Sequence, residues 1–248
     1  MISYLFHAVI YDPLYNGLTF FVGIIPTHDI GLAIIALTIA VRIIIFPLSS
    51  RAIRAQMAMK SVAPEIEVIK AKYKNNREEQ GKAIFALYKE RGVRPFASIG
   101  LVLIQFPVLI GLYWVFYKGG FPQIDASLLY SFIHIPASVN MEFLGVLDMS
   151  KRSIILALLA ALTQLAYTRL SMGPRGQATA VEASLSNDMA KSFDLQARYV
   201  LPLIIGVIAY TIPAAAPLYW VTSNLAMILQ EYAAGRRFRG DTGLSTGR

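Results

Sequence analysis

Five runs of apolar residues constrain this chain more than anything else in it, because a helix that crosses the hydrocarbon core of a bilayer needs about 20 mainly apolar residues. They fall at about Ile30 to Leu48 (GLAIIALTIAVRIIIFPLS), Ser98 to Tyr117 (SIGLVLIQFPVLIGLYWVFY), Ser153 to Leu170, Tyr199 to Ile212 and Pro217 to Tyr232. The last two, about 14 and 16 residues long, are shorter than the roughly 30 Å of hydrocarbon requires. The turn of a tight helical hairpin, Pro213-Ala-Ala-Ala-Pro217, separates them. Only 15% of the residues are charged and 56% are hydrophobic, where a soluble domain carries about 25% charged residues. The bilayer is the solvent that suits such a chain, and the expected fold class is an all-α integral membrane protein of five transmembrane helices.

Orientation follows from where Lys and Arg collect, since short loops rich in them resist translocation. Segment 49–97 carries Arg51, Arg54, Lys60, Lys70, Lys72, Lys74, Arg77, Lys82, Lys89, Arg91 and Arg94 against five glutamates, which makes it cytoplasmic. Five crossings then give an extracytoplasmic segment 1–28, spans at 29–48, 98–117, 153–170, 199–213 and 214–232, an extracytoplasmic loop 118–152, a cytoplasmic loop 171–198 and a cytoplasmic tail 233–248. The first 28 residues hold no Lys or Arg and the tail holds Arg236, Arg237 and Arg239, so both ends agree. Loops 118–152 and 171–198 have balanced charges and test nothing.

The first segment lacks the positive start and small-residue cleavage site of a signal peptide and is expected to stay. Its residues Tyr4, Leu5, Phe6, Val9, Ile10, Leu14, Tyr15, Leu18 and Phe21 are apolar, but Asp12-Pro13 breaks them up, so an interfacial helix on the outer face is expected. In segment 49–97, Val62, Ile66, Ile69 and Tyr73 share one helical stripe. Asn76 and Glu79 resemble a capping box opening a second arm, whose apolar face is Ile84, Leu87 and Tyr88. The segment reads as a cytoplasmic helical hairpin with its first arm interrupted at Pro64.

Arg42 carries the most chemical information, because a charge inside a span costs from about 2.5 to more than 10 kcal/mol. Three arrangements offset such a cost. Arg42 lies six positions before Leu48, roughly 9 Å along a helix, so its side chain could snorkel to the cytoplasmic headgroups. An ion pair within the bundle finds no Asp or Glu inside any run, with Asp29 and Glu231 only at the edges. A hydrated cavity open to the cytoplasm is the third, and the other polar residues favour it: Thr38 one turn before Arg42, Gln105, Gln164, and Thr222, Ser223 and Asn224 in the last run. Each of these could instead make an ordinary interhelical hydrogen bond. His7, His28 and His134 are scattered and cysteine is absent, so no metal site or thiol chemistry is expected. No nucleotide loop or nucleophile–base pair is visible, so neither an enzyme nor a cofactor is expected. The net charge of +8 is placed beside a membrane, which favours anionic lipid over DNA as its partner.

The order of several segments resembles the YidC/Oxa/Alb family of membrane insertases over nearly the whole chain. DPLYNGL and DIGLAIIALTIAVRIIIFPLS look like the family's opening segment and first core helix; APEIEVIKAKYK and ALYKERGVRPFASIGLVLIQFPVLIGLYW are similar to the hairpin and second helix. FLGVLDMS with LLAALTQ is similar to the third-helix region and LYWVTSNLAMILQEY to the last helix. The resemblance implies a five-helix core around a hydrophilic groove, open to cytoplasm and lipid, that receives nascent membrane-protein clients in the bacterial inner membrane without nucleotide hydrolysis. It makes Arg42 the groove arginine, Thr38 its neighbouring hydroxyl, Gln105 and Gln164 polar groove positions, and Tyr219 and Trp220 the aromatic pair that meets clients. Ribosome and Sec translocon are further partners it implies. The chain has no room for the large periplasmic domain seen between the first two hydrophobic segments in many Gram-negative members, its tail is short, Arg94 stands where asparagine is common, and IPAAAP stands where a glycine is usual. The alternative function is a small solute or ion transporter, which the lack of intramembrane acids and of an inverted repeat weakens; a scaffold in which Arg42 snorkels is a third.

Overall fold

In a computed structural model, residues 2–93, 107–108, 110–116, 121–172 and 195–235 are described. The N-terminal segment is helical throughout: α1 (Ile2–Phe6) passes through a π turn at His7–Tyr11 into α2 (Asp12–Ile24). Asp12-Pro13 does not break it, because Pro13 stands in the first turn of α2, where the missing N–H is one the helix could not use. Tyr11, Leu14, Tyr15, Leu18 and Val22 form its buried stripe, while Tyr4, Leu5, Val9, Phe20 and Ile24 are exposed.

The next helix, α3, runs for 32 residues from Ile30 to Ser61, with Pro47 inside it. At 1.5 Å per residue that is roughly 48 Å, far more than one hydrocarbon core. Its opening is fixed by Asp29, whose Oδ1 accepts hydrogen bonds from the amides of Gly31 (2.7 Å) and Leu32 (3.1 Å). The helix yields at Val62 to α4 (Ala63–Lys72), and here the structure corrects the sequence reading: Pro64 opens this arm instead of interrupting it. The second arm, α5 (Arg77–Glu90), is capped by Asn76 Oδ1, which accepts from the Glu79 amide at 3.1 Å. Val62, Leu87 and Val93 form a small core between the arms, with Ile66, Ile69 and Tyr88 packed on it.

Residues 110–116 are helical (α6) and bring Leu112 and Val115 into the main core against α2. Gly111 allows that approach, since a Cβ there would lie 2.7 Å from both Ile10 and Leu14. The connection 121–152 departs from the all-α expectation: β1 (Glu142–Phe143) pairs antiparallel with β2 (Leu147–Asp148) in a short ribbon. Then come α7 (Ile154–Met172), a π turn at Gln196–Val200 leading into α8 (Leu201–Thr211), and α9 (Ala215–Ala233).

Packing of α9 on α7 and α3, α8 on α7, and α2 on α3 forms the bundle. Small residues let α8 approach α7, where a Cβ on Gly206 would lie 2.9 Å from the Cβ of Ala161. Large aliphatic side chains also face outwards among the described residues: Ile43 and Ile44 of α3, Leu158 and Leu162 of α7, Leu203 and Val207 of α8 and Leu229 of α9 are exposed. So many exposed aliphatic side chains would drive aggregation in water and suit lipid tails. Among the described residues, Ile30–Ser61 and Ile154–Met172 are long and apolar enough to cross a membrane.

Candidate functional site

Where α3, α7 and α9 meet, polar side chains face one another inside this apolar bundle. Arg42 leaves α3 half-buried and reaches across to α9, where its Nε donates to Ser223 Oγ at 3.1 Å. Its Nη2 donates to the same oxygen. Ser223 is fully buried. Tyr219, one turn earlier on the same face of α9, is 2% exposed and hydrogen-bonds Arg42, and Tyr167 of α7 lies near enough to act on its charge. These partners are neutral. Beside them the buried Asn224 donates through Nδ2 to Thr163 Oγ1 of α7 at 3.3 Å, extending the layer to a third helix.

The residues singled out by sequence divide accordingly. Arg42 and Tyr219 come together, and Ser223, named only among the polar residues of the last run, is the side chain that joins them. Thr38 is one turn from Arg42 and buried, but its hydroxyl donates to the Ile34 carbonyl at 2.6 Å and so serves its own helix. Gln164 is half-buried on α7 and donates to Thr168 Oγ1 of the same helix at 3.3 Å. Trp220 belongs to the main apolar core. Gln105 lies outside the described residues, as do Arg94 and the tail arginines. Glu231, placed at a membrane edge by sequence, is fully buried.

The two ends of the layer differ. Towards the start of α3 the bundle is tied to the 121–152 connection. Asp29 Oδ2 accepts from the Leu144 amide at 2.8 Å, and the ring of Phe143 sits so close to Gly31 that a Cβ there would be 2.3 Å from it. Asn16 of α2 donates to the carbonyls of Asp12 and Leu128 and accepts from the Tyr130 amide, while the Tyr15 hydroxyl accepts from the Asp125 amide at 2.8 Å. In the ribbon, hydrogen bonds from Ser150 and then Lys151 hold the Asp148 carboxyl down at about 2.

Towards the far end of α3 a second set of polar ties occurs among the described residues. Gln230 of α9 donates to the Phe46 carbonyl (3.2 Å), to Ser50 Oγ (3.1 Å) and to Ser49 Oγ. Lys60 donates to the Ser171 carbonyl in the last turn of α7, where a cation complements the helix dipole. The hairpin then projects beyond the bundle, with Arg51, Arg54, Lys70, Lys72 and Lys82 exposed on or beside it. No group of three metal-binding side chains occurs among the described residues.

Residues 21–241 match the family described as "60Kd inner membrane protein". The membrane protein insertase YidC of Clostridium tetani is 31% identical over 205 residues, covering 83% of this chain and 81% of the relative. Insertases of the same name from Neisseria gonorrhoeae (29% over 206 residues, 83% of this chain) and Methylobacillus flagellatus (26% over 209 residues, 84% of this chain) are also similar. The chain spans 33% of the length of each of those two relatives, so it corresponds to about a third of them and to most of the clostridial one.

Proposed function

Since this chain belongs to the 60Kd inner membrane protein family, a family of insertases and not of enzymes, we propose that it inserts client proteins into the inner membrane through a hydrophilic groove built around Arg42. One observation carries the reading: a cationic side chain is held by neutral hydroxyls between three helices whose outer faces are aliphatic. Holding a charge there serves no packing purpose that an aliphatic residue would not serve better. It does serve a client segment that must leave water: the guanidinium attracts an acidic or polar stretch, and the hydroxyls and amides around it replace part of that stretch's hydration.

The reading includes five spans, with the 121–152 connection and α2 outside and the hairpin in the cytoplasm. In that orientation the end of the layer tied to the 121–152 connection faces outwards and the end towards the hairpin faces the cytoplasm, where clients arrive. On this reading Tyr219, which bonds Arg42, lines the groove, while Trp220 backs it from the apolar core. The exposed cations of the hairpin suit anionic headgroups of the cytoplasmic leaflet, and ribosome and Sec translocon are the proposed sources of clients. No step calls for nucleotide hydrolysis: transfer of an apolar span into lipid is itself favourable.

The test is insertion of a single-span client into liposomes containing the purified protein, read by protease protection. Wild type should protect the client well above empty vesicles and Arg42→Ala much less. Wild type performing like empty vesicles would overturn the insertase reading; Arg42→Ala performing like wild type would remove the arginine from it.

A further inference from the structure

An arginine this close to the end of a span can point two ways: along its own helix to the headgroups, or across the bundle. Arg42 points across, and the geometry shows what turns it. Its Nε and Nη2, which form one edge of the guanidinium plane, both donate to the single oxygen of Ser223. A hydroxyl has two lone pairs and can accept both bonds at once. Two bonds from one rigid planar edge fix the direction of the plane as well as its distance, which one bond would not. Ser223 is fully buried, so water does not compete for those lone pairs. Its neighbour Asn224 faces α7, bonded to Thr163, so Ser223 and, one turn earlier, Tyr219 are the α9 side chains that meet Arg42, and Ser223 is the one that takes both Nε and Nη2.

The chemistry of the holder matters as much as its place. A carboxylate at position 223 would pin the guanidinium equally well and cancel its charge. A hydroxyl pins it and leaves the charge in place. We infer that Ser223 is the positioning residue of the Arg42 site: a buried neutral hydroxyl that turns the guanidinium across to α9 without neutralising it, so that the groove selects clients by charge. The inference rests on the insertase reading for its selectivity, while the tether itself stands on geometry.

Two measurements on the full-length protein test it. In nanodiscs with 15N-labelled arginine, one Nε–H resonance, assigned by its loss in Arg42→Lys, should be shifted from the solvent-exposed set and slow to exchange. It should stay so in Ser223→Thr, which keeps the hydroxyl, and move to the exposed set in Ser223→Ala. In proteoliposomes, a client carrying one Asp in its translocated segment should outpace its Asn twin. That advantage should fall about tenfold in Ser223→Ala, the factor carried by one charge-assisted hydrogen bond. It should be retained in Ser223→Thr and vanish in Ser223→Asp, each variant's rate for the Asp client being read against its own rate for the Asn twin. An Arg42 resonance unchanged in Ser223→Ala would overturn the tether. Equal losses for both clients would overturn charge selection and leave a plain packing role. A wild type that inserts neither client would sink the insertase reading, while the resonance would still decide whether Ser223 holds Arg42.

Discussion

Asp29 is one carboxylate with three jobs, and replacing it with alanine gives a magnitude that can be worked from the structure. Its Oδ1 accepts from two amides in the first turn of α3, and its Oδ2 accepts from the Leu144 amide of the connection at 2.8 Å. The side chain is buried. Loss of an N-cap costs about 1 kcal/mol, and an amide left without its partner in a buried place costs a further 1–3 kcal/mol, so Asp29→Ala should cost about 2–4 kcal/mol. At about 2–4 °C per kcal/mol for a chain of this length, Tm should fall by roughly 4–16 °C. Asp29→Asn should fall between: its carbonyl keeps the cap, but its NH2 then faces the Leu144 N–H, donor against donor. Thermal unfolding in detergent, followed by tryptophan fluorescence, reads both variants. If Asp29→Ala unfolds within about 2 °C of wild type, the carboxylate is not what joins α3 to the connection.

Other substitutions probe single contacts. Gly31→Ala should lower Tm by a cost of about 1–3 kcal/mol, because its Cβ would meet Phe143 at 2.3–2.7 Å, and Gly31→Ala with Phe143→Ala should recover part of it; a harmless Gly31→Ala would refute the close approach. Asp148, held at about 2 by Ser150 and Lys151, adds stability that is fully present above its unfolded value near 4 and is lost as pH falls through the folded value. A carboxyl-carbon titration by NMR should therefore show a midpoint near 2, raised in Ser150→Ala; a wild-type midpoint near 4 would contradict the bonding. Breaking the exposed Arg91–Glu65 pair (2.9 Å) with Glu65→Gln should leave the unfolding temperature unchanged, since solvent screens such pairs, and a clear drop would show that it braces the hairpin.

Much of the helical frame was legible because it rests on local composition. Apolar runs marked α3, α7, α8 and α9, the last two of them short, and Asn76 with Glu79 marked the start of α5. The prolines misled, since their effect depends on position within a helix. Pro13 and Pro64 occupy first turns, where a missing N–H costs nothing. Pro47 sits mid-helix and α3 continues through it, while the carbonyl just before it, that of Phe46, accepts from Gln230, 184 positions away in the chain. No window of sequence contains that contact. The 121–152 connection was unreadable for a similar reason: its shape is set by bonds to Asp29, Asn16 and Tyr15 on other elements.

Arg42 could be found from sequence alone, because a charge in an apolar run violates the rule that governs its surroundings. Its holder could not, because a serine in a membrane helix violates nothing. Thr38 shows the limit from the other side: it was placed correctly, one turn from Arg42, yet its hydroxyl bonds back to Ile34, as buried Ser and Thr in helices often do. Helical spacing therefore reports which polar residues share a face, but not where each one spends its hydrogen bond. For Arg42 that is the deciding question, since a guanidinium bonded along α3 would reach the headgroups and one bonded to Ser223, 181 positions away, lies across the bundle. The step from a charged residue in a span to a proposed charged groove rests on that crossing between α3 and α9, where Ser223 and Tyr219 meet Arg42.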